Sequence, residues 1–210
     1  MDIQLLDALS KGTVLGLAAG FSPGPLTVLV ISETLRNGLR AGMKVSLAPV
    51  LTDLPIIALA ALLLDRLSSH PAVFGVIALL GAGFLFHIGL GSLKPPVVMI
   101  HAEQPAPRSL LRGVIANFLN PNPYVFWIGV GTPILLTAFD RSWVHAAVFS
   151  AAFFSFIIGS KLLLARLVDG SRTFLSSSAY RWILRILGLL LIIYALIFFK
   201  DGLTRFGLFP

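Results

Sequence analysis

The chain has 210 residues, of which 57% are hydrophobic and 12% charged, and its mean hydropathy is +0.92. Soluble domains carry about 25% charged residues, and a chain this short has too small an interior to hide so much apolar surface. A soluble helical core is therefore excluded, and the formal charge of +7, carried largely in short loops between apolar stretches, points to membrane topology rather than to nucleic acid.

Six apolar stretches qualify as spans, at about 12–32, 44–64, 71–93, 113–137, 143–165 and 181–199. The first residues place Asp2 and Asp7 against Lys11 alone, which does not suit the basic start of a cleaved leader, so the first span is expected to be retained. In span one, Gly12, Gly16, Gly20 and Gly24 recur every fourth residue and form a stripe along one helix face. Such a stripe lets another helix come close, within the subunit or across a homodimer. The stripe then meets Ser22-Pro23-Gly24-Pro25, where two prolines remove backbone donors and break the helix in mid-membrane. Broken backbone is tolerated at that depth only when buried in protein or facing a water-filled cavity.

Span two holds Pro49, Thr52, Asp53 and Pro55, and span three is rich in Gly and Ala. The connection 94–112, with Pro95, Pro96, Pro105 and Pro107, reads as an extended linker. Span four repeats the interruption of span one: Asn120-Pro121-Asn122-Pro123 answers Ser22-Pro23-Gly24-Pro25. Three spans separate the two motifs, so the halves would have opposite orientation, and matched interruptions in two halves point to a transporter binding site. The expected architecture is all-α: one transmembrane domain, with repeat one at about 12–93, a polar loop at about 94–112, and an inverted repeat two at about 113–199. Loops after spans one, three and five carry ten Lys and Arg, and the opposite side carries five. That bias predicts cytoplasmic 36–44 and 94–112, with both termini outside the cytoplasm.

These residues resemble the lysine exporter (LysE/RhtB) family of small-solute exporters, through Ser22-Pro23-Gly24-Pro25, the Arg36 to Gly42 run, Asp53, and the Asn120-Pro121 pair. The resemblance covers nearly the whole chain. It implies six helices in two inverted three-helix repeats in the plasma membrane, and proton-driven efflux of amino acids or similar small metabolites. The chain departs from the pattern at Leu26, where amino-acid exporters often carry Asn, and in its polar Asn-Pro-Asn-Pro-Tyr stretch. An ion or metal exporter of the same fold and a non-transporting scaffold are the alternative readings.

The candidate binding residues are Ser22, Pro23, Gly24, Pro25, Asp53, Asn120, Pro121 and Asn122. Asp53 stands near the centre of span two, where a charged carboxylate is costly and marks function; it is the expected proton carrier, with Thr52 beside it. Asn120 and Asn122 either recognise solute or cap the broken helix. Lys161, about 9 Å along the axis from the middle of span five, takes an anionic solute, pairs with Asp53, or reaches the headgroups. Glu33 reads mainly as an interfacial charge beside Arg36 and Arg40, and Tyr124, Trp127 and Trp143 as packing or interfacial anchors. The absence of cysteine excludes thiol redox chemistry, and the isolated histidines have no metal-ligand spacing, so no bound cofactor is implied. A membrane serine hydrolase would need Ser22 and His87 as a pair, yet the proline after Ser22 removes an oxyanion donor.

Overall fold

The computed structural model describes residues 3–66, 71–93, 108–170 and 177–207. Most of the predicted linker 94–112 lies outside these residues, as do His70, His101, Lys94 and Arg172. Every described element is helical: α1 (Ile3–Phe21), α2 (Pro25–Asn37), α3 (Leu39–Ser46), α4 (Ala48–Arg66), α5 (Pro71–Leu93), α6 (Ser109–Phe118), α7 (Pro121–Phe126), a π-helical turn (Trp127–Gly131), α8 (Thr132–Arg141), α9 (Trp143–Gly170) and α10 (Ser178–Arg205).

Among the described residues, four helical stretches are long and apolar enough to cross a membrane: Leu39–Leu64, Gly75–Leu93, Trp143–Gly170 and Ser178–Arg205. A fifth is the pair α1 and α2, bent by 59° at the Ser22–Gly24 break. The predicted fourth span, 113–137, is divided into α6, α7, the π turn and α8, each too short to cross alone. Helices run past the predicted edges at most ends: α1 reaches back to Ile3, α9 on to Gly170 and α10 to Arg205. Hydropathy measures the apolar stretch, whereas the backbone ladder continues into the polar headgroup zone, where Lys and Arg stems still cover apolar surface. Large apolar side chains such as Leu59, Leu62, Leu80 and Leu196 face outward, as expected where the surrounding solvent is hydrocarbon.

The glycine stripe packs within the subunit, on α9. A Cβ placed on Gly16 would sit 2.6 Å from Phe153 O, and one on Gly12 2.5 Å from Phe149 O, so helix backbones meet there with no room for a side chain. Gly20 faces Ser160 in the same way, whereas Gly24, beyond the break, has open space around it. Two further pairings complete the bundle: α5 lies along α10, and α4 lies against α6, α7, the π turn and α8. A main core of Leu15, Trp127, Phe149, Phe153, Leu184 and their neighbours fills the middle, while Leu26, Val30, Val45, Ala48 and Ala165 form a smaller core where α2, α3 and α9 meet.

Replacing Gly16 by Leu is expected to wedge α1 off α9 and cost about 1–3 kcal/mol, or block assembly altogether. Gly24→Ala should be near neutral for assembly. Thermal unfolding and gel filtration of the two variants in detergent check this contrast.

Candidate functional site

The first break leaves backbone carbonyls to be satisfied. Pro23 and Pro25 have no N–H, so Ala19 O and Phe21 O lose their usual helical donors. Gly24 is extended (φ −167°, ψ 176°) and Pro25 restarts the chain at the first position of α2. Two other carbonyls at the break, whose helical bonds end where the chain turns extended, find side chains: Ser22 O accepts from Thr27 Oγ1 at 2.7 Å, and Gly20 O accepts from Lys161 Nζ at 3.1 Å. Lys161 Nζ also donates to Thr27 Oγ1 at 3.0 Å. The lysine of α9 therefore spans the break, holding the end of α1 and the start of α2 together.

The second break is closed differently. Asn120 caps α7, its side-chain oxygen accepting from Asn122 N at 3.1 Å, and Pro121 occupies the first helical position, where a missing N–H costs nothing. With Asn122 N turned to the cap, Phe118 O is taken up by the Tyr124 hydroxyl at 3.0 Å. Tyr124 thus serves the break itself, whereas Trp143 is the exposed anchor that the sequence suggests.

Between the breaks lies a cavity of about 120 Å³, roomy enough for several waters or a small solute. Of the predicted residues, Ser22, Gly24, Asp53, Asn120, Asn122 and Lys161 line it; Pro23, Pro25 and Pro121 do not, and shape the turns instead. Asp53 is 3% exposed. Its Oδ1 lies 3.1 Å from Asn117 Nδ2 and 3.2 Å from the Thr52 hydroxyl. That hydroxyl accepts from Asn117 at 2.6 Å and has one proton to give, either to Asp53 or to Ala48 O at 3.0 Å. The indole N–H of Trp127, a residue that lines the same cavity, is buried and makes no hydrogen bond. Lys161 is 2% exposed and does not reach the headgroups. Its hydrogen bonds go to neutral oxygens; Asp53 stands more than 4.0 Å away, beyond a contact ion pair but within electrostatic reach.

Sequence reading missed Asn117 and Thr27, and gave Trp127 as packing or an interfacial anchor; it packs in the main core and also lines the cavity. Asn117 had a signal: it stands three residues before Asn120, and residues three apart in a helix are neighbours. Thr27 lies in the first turn after a break, where a hydroxyl is well placed to serve a loose carbonyl. Trp127 sits in an apolar run that looks the same whether it faces lipid or a cavity. His87 is on the exposed face of α5, away from Ser22 and the cavity. No group of three or more His, Asp or Glu gathers among the described residues.

Glu33 is not an interfacial charge. It is 2% exposed, and its carboxylate accepts from Arg112 NH1 at 2.9 Å, Ser109 Oγ at 2.7 Å and Asn37 Nδ2 at 2.9 Å. The bonds from Ser109 and Arg112 tie α2 to α6, and none of Glu33, Ser109 and Arg112 lines the cavity. The sequence suggested Arg36 and Arg40 as neighbours because they are close along the chain; the packing of α6 on α2 supplies Arg112 instead.

The fold and site define a multi-pass membrane protein with a polar cavity at an interrupted helix. The model of the LysE type translocator family matches residues 17–202, and the chain belongs to that family, one of transporters rather than enzymes. Small-solute export is the activity this membership implies. The chain is also similar to an uncharacterized membrane protein of Pseudomonas aeruginosa, at 26% identity over 116 residues. That match covers 50% of this chain and 54% of the relative, so the chain spans about half the length of the curated relative it matches. No solved structure matches the chain.

The Glu33 cluster gives a stability prediction. Arg112→Ala leaves a buried carboxylate with neutral donors alone and is expected to cost about 1–3 kcal/mol. Glu33→Gln combined with Arg112→Ala should be less damaging than the sum of the single changes, because it removes both charges. Thermal unfolding of the three variants measures the coupling, and strictly additive losses would show that the pair does not act together.

Proposed function

We propose that this protein is a secondary active exporter of amino acids or related small metabolites from the cytoplasm, coupled to the proton gradient, with the cavity between the two breaks as its solute site. The observation that carries the reading is Asp53: a carboxylate 3% exposed, on α4, on the wall of a cavity bounded by two interrupted helices. Burial at that depth makes the charge unfavourable, so opening the cavity to water on one side and then the other would let the group release and take up a proton. Binding energy drawn from Ser22, Asn120 and Asn122 and from freed backbone would select the solute.

Two inverted repeats within one transmembrane domain fit the packing. Span one lies on span five, span four lies on span two, and span three lies on span six, which is the pairing a two-fold relation between halves would generate. The orientation proposed is cytoplasmic 36–44 and 94–112, with the termini outside. The bond between Glu33 and Arg112 supports placing these two basic segments on one side, since it joins the ends of α2 and α6 that flank them. A separate hollow of about 640 Å³ lined by Asp7, Lys11 and Arg141 supports an exit on the side of the chain's N-terminus.

Asp53→Asn is expected to stop gradient-driven export in proteoliposomes while sparing solute exchange. The solute to use is the one that a resistance screen finds in a strain lacking its own exporters. Full proton-coupled export by this variant would remove Asp53 from the cycle. Orientation is checked separately: a cysteine introduced at Arg40, in a chain with none of its own, should resist an impermeant thiol reagent applied from outside.

A further inference from the structure

We propose that Lys161 selects the solute, by receiving a carboxylate in the cavity. This rests on the reading of the cavity as the solute site. An ammonium has three N–H donors, and Lys161 gives two of them, to Gly20 O and Thr27 Oγ1. The remaining donor belongs to a side chain that lines the cavity. Neither of the alternative roles takes up that donor. The headgroups are out of reach, because the ammonium is 2% exposed and anchored at the break, and Asp53 stands more than 4.0 Å away. A buried cation bonded only to neutral oxygens, with its nearest carboxylate beyond contact, is incompletely compensated, and an anion arriving in the cavity would supply a contact partner.

The far wall is complementary. Oδ1 of Asp53 takes its bonds from Thr52 and Asn117, which leaves the second oxygen for a donor on the solute or for water. The walls between are apolar, with Leu15, Phe84, Ile88 and Ile157 among them. One cation in a space of about 120 Å³ suits a single carboxylate on an apolar body better than a phosphate dianion. Carboxylate recognition would also engage the first break directly, since the same ammonium holds Gly20 O and Thr27. Solute binding would then compete with, or tighten, the joint between α1 and α2.

Four probes that share one apolar body test this in nanodiscs by calorimetry: L-leucine, 4-methylpentanoate, L-leucinamide and isoamylamine. The two carboxylates are expected to bind about tenfold to a hundredfold more tightly than the amide and the amine. Lys161→Gln keeps hydrogen-bonding capacity without the charge and should erase that preference; Lys161→Arg should retain it and shows that the fold tolerates change at this position. Equal binding of carboxylates and amines by the unaltered protein, or a preference that survives Lys161→Gln, overturns the proposal while leaving the cavity as the solute site. Failure of all four probes to bind overturns both this proposal and the reading beneath it.

Discussion

The structure turns on backbone carbonyls left without helical donors where two helices break in a place where water is scarce. In hydrocarbon an unpaired peptide group is costly, so a helix interrupted at mid-depth must be surrounded by groups able to serve it. At the first break these are Thr27 and Lys161, and at the second they are Asn120 and Tyr124. Serving the breaks brings polar side chains inward. Once there, they make the surroundings fit to hold water and small solutes. The cavity follows from that requirement.

The two breaks are alike in sequence but not in chemistry. The first is bridged by a cation reaching from α9, a helix 141 residues from Gly20 along the chain. The second is closed locally, within six residues, by an amide cap and a phenol. A long-range bridge couples the first break to the packing of α1 on α9. The glycine stripe sets that packing, because three glycines let the two backbones meet. Close approach by Gly12, Gly16 and Gly20 is what carries Lys161 near enough to Gly20 O. Stripe, break and lysine therefore form one construction.

Charge is arranged in separate layers. Glu33 and Arg112 form a compensated pair where α2 meets α6, while Asp53 and Lys161 sit apart on the cavity wall, each with bonding capacity left over. A compensated pair holds elements together. Separated charges with spare capacity have hydrogen bonds still to make. The same residue types thus play opposite parts according to whether their partners lie within contact.

Composition and pattern were enough to establish a multi-pass helical membrane protein, the break at Ser22–Pro25, its echo at Asn120–Pro123, the glycine stripe and the singular position of Asp53. Each is a local property: apolar runs report solvent, proline reports a lost donor, and spacing of four reports a helix face. Tertiary structure alone decided that the stripe faces α9 within the subunit, that Lys161 bonds Gly20 and Thr27, that Asn117 and Trp127 stand beside Asp53, and that Glu33 pairs with Arg112. Those relations join residues far apart in the chain, from 64 positions for Asn117 and Asp53 to 141 for Lys161 and Gly20. In an apolar helix every face looks alike to hydropathy, so only the packing of helices on one another determines which side chain meets which.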